Sequence, residues 1–424
     1  MKKLFIFYIP FLFSPPVFSQ KTILHCGILI DCVSNDVQKE MTIVVDNEKI
    51  ISVEKGYIAS SAGDKVIDLK NKTVLPGLID MHVHLDHESH KGGQIDQFTD
   101  NEADIAFKSV VNAEKTLMCG FTTVRDLGGN VNISLRNAIN KGIIKGPRIF
   151  TAGKAISGTG GHMDPTNGFC EGLMGDPGPK DGVANGVDDC RKAVRQQYKN
   201  GADLIKIAST GGVLSMAKDG SAPQFSEDEI KSIVQTAKDL GMNVACHAHG
   251  AEGMKRAIRA GVASIEHGTL MDDEVIALMK KYGTFYVPTI TAGKSVADSS
   301  KIPGYYADIV VPKAQSIGPK IQGTFAKAYK AGVKIAFGTD AGVFKHGKNA
   351  IEFQYMVEVG MTPMEAIKSA TAAASQLLGM GDKFGTIQTT KFADIIAVDE
   401  NPLVNIKTLM NVTFVMKEGV IYKQ

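Results

Sequence analysis

Short, continuous apolar runs alternate with amphipathic helical stretches through the middle of the chain. Six times a helical stretch ends at a glycine and is followed within a few residues by a β-branched apolar run. A glycine just past a helix is typical of the left-handed conformation, and unbroken apolar runs suit parallel strands that are covered on both faces. The six runs are 121–124, 204–207, 244–246, 262–265, 284–287 and 333–337.

Two further runs, 78–81 and 148–152, bring the number of predicted core strands to eight. Eight strands that alternate with helices are the count of a (β/α)8 barrel. A doubly wound open sheet is the alternative, but the chain has no glycine-rich dinucleotide turn between a first strand and its helix. We therefore predict an α/β fold built on a TIM-like (β/α)8 barrel over residues 76–380.

The two flanks of this core have a different pattern. Residues 20–75 and 381–424 contain β-rich runs separated by turns, with no helical period. Examples are 41–45, 49–53, 395–398 and 412–416. From composition alone, we expect the two flanks to pair into a small β-sandwich-like domain beside the barrel.

Residues 1–19 have the pattern of a cleavable secretory signal peptide. Two lysines precede the almost wholly apolar run 4–13, and Val17 and Ser19 place compatible residues at positions −3 and −1 before Gln20. The apolar run is too short for a transmembrane helix, which needs about 20 residues. An uncut hydrophobic anchor is the alternative. We expect an exported protein, in a periplasm or outside the cell, with no membrane span.

Composition excludes several functional classes. The 424 residues are 44% hydrophobic and 22% charged, with a formal net charge of +2. This balance indicates a globular protein and offers no basic excess for binding nucleic acid. Six cysteines are too few for a disulfide scaffold in an exported chain of this length. The pairs Cys26/Cys32 and Cys170/Cys190 are nevertheless close enough in sequence to be candidate disulfides.

Metal-ligating residue types fall at the carboxyl ends of the predicted strands. His82 and His84 end the first strand, where a spacing of two turns both imidazoles to the same side. His247, His267 and Asp340 follow the fifth, sixth and eighth strands. Barrel enzymes keep their chemistry at this end of the strands, and imidazole and carboxylate are common metal ligands. We therefore expect a metal site there.

Lys206 is the unusual member of this set, because it lies inside the fourth strand between apolar residues. A lone buried ammonium is costly. A carboxylate partner is the simplest explanation of such a lysine. Its position level with the other five polar groups favours metal ligation instead.

The motifs that carry these residues resemble those of the amidohydrolase superfamily, in particular its prolidase-like and imidazolonepropionase-related members. They occur in order over residues 75–380 or so, and therefore cover the whole predicted barrel. The motifs are VLPGLIDMHVH (74–84), FTTVRD (121–126), SGTGGH (157–162), LIKI (204–207), HAHG (247–250), SIEHGT (264–269) and FGTDAG (337–342).

The resemblance implies a site with two divalent metal ions. His82 and His84 would hold the more buried ion together with Asp340, and His247 and His267 would hold the other. Imidazole and carboxylate ligands suit zinc, although other divalent ions are possible.

The resemblance further implies that Lys206 carries CO2 as a carbamate that bridges the two ions. This removes the objection to a buried ammonium, since the side chain becomes an anionic ligand. A hydroxide bridging the ions would attack the substrate. Asp340 would accept its proton and pass it to the leaving nitrogen.

Three more residues are candidate substrate contacts. His162 follows the third strand in a glycine-rich loop and could stabilise the carbonyl oxygen, or be a loop histidine held by backbone bonds. His249 has the parity to face the same cavity. Arg125 could bind a substrate carboxylate through its planar guanidinium, or form an internal pair with Asp126 or another acid.

The resulting hypothesis is an exported, metal-dependent amidohydrolase that cleaves an amide or peptide bond in a small substrate. The substrate would be a dipeptide such as Xaa-Pro or Xaa-Arg/Lys, or an N-acyl amino acid. A lactonase, esterase or cyclic-amide hydrolase on the same site is the alternative, because hydroxide attacks esters as well. A non-catalytic scaffold is disfavoured because no ligand is missing. We expect no nucleic-acid partner; a homo-oligomer is possible.

Overall fold

A computed structural model describes residues 20–170 and 172–424. The predicted signal peptide, residues 1–19, lies outside this part of the chain. Within the described residues, none of the helices has both the length and the apolar character that crossing a bilayer requires.

The described residues contain fourteen strands and thirteen α-helices. The strands are β1 Thr22–Leu29, β2 Gln38–Asp46, β3 Lys49–Lys55, β4 Lys65–Pro76, β5 Leu78–Val83, β6 Phe121–Asp126, β7 Arg148–Thr151, β8 Ile205–Ala208, β9 Val244–Ala248, β10 Ser264–His267, β11 Phe285–Val287, β12 Ile395–Val398, β13 Phe414–Lys417 and β14 Val420–Lys423. The helices are α1 Asp96–Thr99, α2 Glu102–Met118, α3 Asn132–Asn140, α4 Gly186–Asn200, α5 Glu227–Asp239, α6 Ala251–Ala260, α7 Asp273–Tyr282, α8 Ile290–Ser299, α9 Val311–Ile317, α10 Ile321–Lys330, α11 Ile351–Glu358, α12 Pro363–Ser369 and α13 Ala372–Leu377.

Strands β5 to β11 form the wall of a barrel. Parallel pairing joins β5, β6 and β7 in one group and β8, β9, β10 and β11 in another. A bridge between Ile156 and Ile207 connects the two groups. The alternation of short parallel strands with helices confirms the predicted α/β barrel.

The eighth predicted strand, 333–337, closes the barrel without forming a regular ladder. Single bridges link Tyr286 to Ile335 on one side and Val83 to Ala341 on the other. The amide of Asp340 donates to the carbonyl of His82 at 2.7 Å. Asp340 is therefore held beside the end of β5 by backbone bonds, which brings two parts of the chain far apart in sequence into one site.

Local signals in the sequence explain where the helices of the barrel begin and end. Ser226 begins α5 with a capping box in which its hydroxyl accepts from the amide of Glu229, and the Glu229 carboxylate accepts from the amide of Ser226. All six glycines predicted to follow helices have positive φ angles. Three of them, Gly201, Gly261 and Gly283, are the C-cap residues that directly follow α4, α6 and α7. These positions therefore suit glycine because it has no Cβ.

The flanking segments pair as expected, in one seven-stranded sheet with the order β14-β13-β12-β4-β1-β2-β3. The central contact is antiparallel, between β4 from the first flank and β12 from the second. One face of the sheet buries its own apolar cluster, which includes Leu24, Ile43 and Phe414. Arg148 of β7 joins this sheet to the barrel through ion pairs with Asp394 and Glu418 at 2.6 and 2.7 Å.

All six cysteines belong to the described residues, and all six are free. Neither candidate pair, Cys26/Cys32 or Cys170/Cys190, is bonded in the structure. Burial raises the pKa of the Cys26, Cys32 and Cys190 thiols to about 12, which makes them poor nucleophiles.

Candidate active site

A cavity of about 250 Å³ lies at the carboxyl ends of the barrel strands. One wall is polar and contains every predicted site residue except Arg125. The polar lining residues are His82, His84, His87, His162, Lys206, His247, His249, His267, Thr269, Thr289 and Asp340. The other lining residues are apolar or glycine and include Met163, Leu214, Val296 and Ile321. The cavity therefore combines reactive groups with a surface for an apolar side chain.

His82, His84 and Asp340, here called the inner group, form a compact cluster. Nε2 of His82 and Nε2 of His84 lie 3.4 and 3.5 Å from the same oxygen, Oδ1 of Asp340. The ligand atoms of the three residues all lie within 4.8 Å of one another. This spacing is short enough for one ion to contact all three.

The other nitrogen of each inner histidine is already bonded. Nδ1 of His82 lies 3.0 Å from Oε2 of Glu266, and Nδ1 of His84 lies 2.9 Å from the carbonyl of Gly128. A carboxylate and a carbonyl only accept hydrogen bonds, so each Nδ1 carries the proton. Each Nε2 consequently presents its lone pair to Asp340, as a metal ligand must.

Lys206, His247 and His267, here called the outer group, stand beside the inner group. Nζ of Lys206 is 3.5 Å from Nε2 of His82. The rings of His247 and His267 are 4.7 Å apart, and His267 is 4.9 Å from the ring of His82. The two groups thus share one cluster.

The outer histidines are also oriented by hydrogen bonds. Nε2 of His247 lies 3.1 Å from the carbonyl of Gly211, and Nδ1 of His267 lies 2.7 Å from the hydroxyl of Thr289. This leaves Nδ1 of His247 and Nε2 of His267 available. The orienting partners are neutral here, whereas His82 is oriented by a carboxylate.

Burial sets the charge of the cluster. It lowers the pKa of His82, His84, His247 and His267 below the usual range, so these imidazoles are neutral. Burial also lowers the pKa of Lys206, although the nearby carboxylates of Glu266 and Asp340 oppose this effect. Neutral imidazoles are the form that binds a metal.

The arrangement fits a divalent metal. Oδ1 of Asp340 is buried and makes no hydrogen bond with any residue of the described chain. Burial raises the pKa of this carboxyl group. A buried acceptor with no donor is costly, and a cation between this oxygen and the two Nε2 atoms would remove that cost.

Three residues that line the cavity at the ends of strands have a strained backbone conformation. His267, Thr289 and Asp340 have φ angles of 70°, 52° and 60°. This left-handed region is unfavourable for residues other than glycine, above all for a β-branched residue such as threonine. Such strain concentrates at functional sites, where the surrounding structure maintains it.

His162 and His249 both reach the cavity. The ring of His162 lies 4.2 Å from that of His247, and its Nδ1 is buried without a hydrogen-bond partner among the described residues. A Cβ on Gly212 would lie 2.1 Å from the His162 ring, so only glycine leaves room for it. Nδ1 of His249 is 3.0 Å from the hydroxyl of Thr269. Burial lowers the pKa of His162 to about 3 and that of His249 to about 4.

The expectation that Arg125 could bind substrate needs correction. Its side chain is buried and does not line the cavity. Its guanidinium donates to the carbonyl of Met81 at 2.6 Å, the hydroxyl of Ser264 at 3.0 Å and the carboxylate of Glu266 at 2.7 Å. Every nitrogen is occupied, which matches the alternative of an internal pair. The acid is Glu266 rather than Asp126.

The sequence reasoning missed Glu266 and His87. Glu266 is fully buried in β10 and joins Arg125 to His82. The sequence feature that could have identified Glu266 is a charged residue inside an apolar strand, next to His267. His87 lines the cavity and bonds to Asp86 through Nδ1 at 3.1 Å; nothing distinguished it from the neighbouring histidines of its loop.

A closed barrel with a dense set of histidines, a lysine and an aspartate at the carboxyl ends of its strands belongs to the class of barrel hydrolases. The sequence matches the amidohydrolase family over residues 73–422. The chain is therefore a member of the amidohydrolase family. This confirms the family predicted from the motifs, and with it an enzyme that hydrolyses amide bonds.

Solved structures and curated proteins agree with this assignment. A Xaa-Pro dipeptidase with methionine bound in its active site is 53% identical, with a TM-score of 0.94 over 96% of this chain and 100% of the other. A prolidase in complex with N-methylphosphonate-L-proline is 32% identical, with a TM-score of 0.88 over 96% and 100%. Ochratoxinase from Aspergillus niger is 34% identical over 436 residues, which cover 95% of this chain and 86% of that protein.

Proposed function

We propose that this protein is an exported, metal-dependent hydrolase of small amides, with dipeptides of the Xaa-Pro or Xaa-Arg/Lys type or N-acyl amino acids as substrates. The observation that carries the proposal is the convergence of two oriented, neutral imidazoles on the unpartnered Oδ1 of Asp340. The similarity to a Xaa-Pro dipeptidase and to a prolidase supports the choice of dipeptides.

In this proposal the inner group holds one divalent cation, most simply zinc, and the outer group holds a second. When bound, such ions would lower the pKa of a coordinated water to about 7 and would polarise the substrate carbonyl. Lys206 contributes an anionic ligand as a carbamate. Its lowered pKa supports this modification, because the neutral amine is the form that reacts with CO2.

The other steps belong to the protein's own groups. The carboxylate of Asp340 takes a proton from the attacking water and delivers it to the leaving nitrogen. His162 lines the cavity, and its buried Nδ1 has no hydrogen-bond partner among the described residues, so we assign this nitrogen to the carbonyl oxygen of the substrate. Because burial keeps His162 neutral, the tautomer that carries a proton on Nδ1 is required.

The cavity restricts the substrate to a small molecule. Its volume of about 250 Å³ suits a dipeptide and excludes a folded polypeptide. Among its described lining residues, Lys206 is the one lysine, no arginine is present, and Lys206 lies within the metal cluster. Much of the remaining lining is apolar, including Met163, Leu214, Val296 and Ile321. A substrate with an uncharged side chain fits this lining better than one with a free acidic side chain.

The decisive experiment is a turnover assay on the mature protein, from Gln20, loaded with zinc and bicarbonate. The panel contains Xaa-Pro, Xaa-Arg and other dipeptides, N-acyl amino acids, a lactone and a phosphotriester. We expect amino acids to be released from peptides or N-acyl amino acids, and a chelator to abolish the release. His25→Ala, in the flanking sheet, serves as a histidine control and should retain full activity and metal content.

The panel also separates the alternatives. Cleavage of the lactone or ester alone would replace the proposed substrate class and keep the metal site. Absence of bound metal together with absence of turnover would overturn the proposal. N-terminal sequencing of the protein recovered from its native host tests export, because cleavage before Gln20 is expected; an intact Met1 would contradict it.

A further inference from the structure

A second cavity, here called the side chamber, adjoins the catalytic cavity. It has a volume of about 630 Å³, and two residues, His162 and Leu214, line both cavities. Loops that follow β5 and β7 supply much of its remaining lining, including Phe98 and Phe169. The two cavities therefore adjoin at His162 and Leu214.

The lining of the side chamber combines an aromatic and aliphatic surface with uncharged polar side chains, those of Gln94, Gln97, Asn167 and Ser215. The rings of Phe98 and Phe169 meet edge to face with centroids 5.3 Å apart. Ile95 and Met216 complete this surface. Ile95 is 61% exposed and Phe98 is 45% exposed. Large apolar side chains left in contact with water at the mouth of an enzyme cavity indicate a surface that a ligand covers.

The side chamber offers no charged group to a ligand. Among its described lining residues, Asp164 is the one aspartate, and no lysine, arginine or glutamate lines it. Both oxygens of Asp164 are used within its own loop. Oδ1 accepts from the amide and hydroxyl of Thr166 at 2.9 and 2.7 Å, and Oδ2 accepts from the amide of Gly160 at 2.8 Å. None of these residues offers a free charge to pair with a charged ligand group, so an uncharged group suits this lining better.

His162 places a polar group at the boundary between the two cavities. Its amide is fixed by Oε1 of Gln224 at 2.7 Å, so the backbone at this position is held. Nδ1 of its side chain is buried and has no hydrogen-bond partner in the described chain. An unpaired buried nitrogen is costly unless a ligand completes it. The amide of a bound substrate, lying at this boundary, provides the missing partner.

We propose that the side chamber binds an aromatic or other large, uncharged apolar substituent of the amide substrate, with the scissile amide at His162. Phe98 and Phe169 are then specificity-determining residues. This inference rests on the proposed function and narrows its substrate class to amides that carry one bulky apolar group. A small dipeptide would leave the side chamber empty.

The test compares matched substrates on the zinc-loaded enzyme. One series keeps the amine constant and changes the acyl group from acetyl to 3-phenylpropionyl; the other keeps the acyl group constant and changes the amino acid from glycine to phenylalanine. We expect the larger member of at least one series to have a kcat/KM about tenfold higher or more. Phe98→Ala and Phe169→Ala should each lower kcat/KM for the larger member and so remove that preference.

Two further variants strengthen the test. Gln94→Trp adds bulk at an exposed lining position and should lower kcat/KM more for the larger substrate than for the smaller one. Phe107→Ala is the matched control, because Phe107 is 73% exposed on α2 and does not line the side chamber. It should keep the full preference.

The outcomes separate this inference from the proposed function. Equal kcat/KM for large and small substrates, or a preference that survives both Phe98→Ala and Phe169→Ala, would overturn the side chamber as a subsite while amide hydrolysis stands. Failure to cleave any amide by enzyme that contains its metals would overturn the proposed function itself. Circular dichroism on each variant shows that a lost preference is not lost folding.

Discussion

The inner and outer groups of the site are built from similar residues but are completed differently. The inner group has two imidazoles and a carboxylate whose ligand atoms already lie within 4.8 Å of one another. The outer group has two imidazoles and the ammonium side chain of Lys206. A cation would repel that ammonium. The inner group can therefore bind a metal with its unmodified side chains, whereas the outer group requires a change at Lys206.

The hydrogen bonds that orient the histidines also favour metal binding by the inner group. Nδ1 of His82 in the inner group is held by the carboxylate of Glu266, which is itself paired with Arg125. His267 in the outer group is held by the hydroxyl of Thr289. Hydrogen bonds to charged groups are stronger than those between neutral groups. We therefore expect the inner metal to be bound more tightly than the outer metal.

The largest effect is expected from Asp340→Asn. The amide keeps the shape of the side chain but loses the anionic ligand and the proton acceptor, so we expect kcat to fall by about 10²–10⁴-fold or more. Elemental analysis should show loss of the inner metal. Asp188→Asn on the exposed face of α4 is the matched control. A variant at Asp340 with near-normal kcat would show that the inner group is not the catalytic centre.

Lys206→Ala tests the outer group. Without the bridging ligand, we expect one metal per chain in place of two and a fall in kcat of roughly 10²–10³-fold, since a Lewis-acid contribution is several kcal/mol. In the wild-type protein, ¹³C-labelled bicarbonate should give a carbamate NMR signal that this variant lacks. Lys231→Ala, at an exposed position of α5, is the control. Wild-type metal content and rate in Lys206→Ala would refute the bridge.

Glu266→Gln weakens the orienting bond of the inner group. The amide no longer fixes the proton on Nδ1 of His82, and we expect a loss of about 10–100-fold in zinc affinity or activity. The variant also leaves the buried Arg125 without its counter-charge, so thermal unfolding should occur at a lower temperature. Zinc titration of the metal-free protein measures the affinity. If the melting temperature falls while zinc affinity stays constant, Glu266 is structural only.

Thr289→Val should have the smallest effect. It removes one hydroxyl and keeps a β-branched shape at the same backbone position, so only the bond to Nδ1 of His267 is lost. We expect a decrease of about tenfold or less in affinity for the second zinc equivalent and no change for the first. Thr284→Val, a buried threonine outside the cavity, is the control. A weaker first equivalent would contradict the division into inner and outer groups.

Much of the fold could be predicted because its signals are local. A glycine with positive φ after a helix depends on the few residues around it, and all six predicted positions have that conformation. The eighth strand was less predictable. Its residues 333–337 have the apolar pattern of a strand, but Ile335 makes a single bridge to Tyr286, and the bridge to Val83 comes from Ala341, beyond the predicted strand. How a barrel closes depends on the relative positions of all its strands.

The prediction of the site from the sequence was limited in the same way. The spacing of two residues correctly placed His82 and His84 on the same side of their strand. The position of the polar residues in their strands correctly located the cavity at the strand ends. The alternation of side chains along a strand could not show whether Arg125 faces a substrate or Glu266, because the side chain points into the barrel in either case. The partner of Arg125 lies 141 residues further along the chain, and no local pattern identifies a contact at that separation.

The sequence by itself determined the alternation of strands and helices, the family, and the residue types gathered at the carboxyl ends of the strands. These follow from short-range periodicity, backbone preferences and ordered motifs. The tertiary structure decided which nitrogen of each imidazole is free, which carboxylate oxygen lacks a donor, and which cavity lies beside the catalytic one. The physical reason is that hydrogen bonding and burial depend on distances between segments that meet only when the barrel closes.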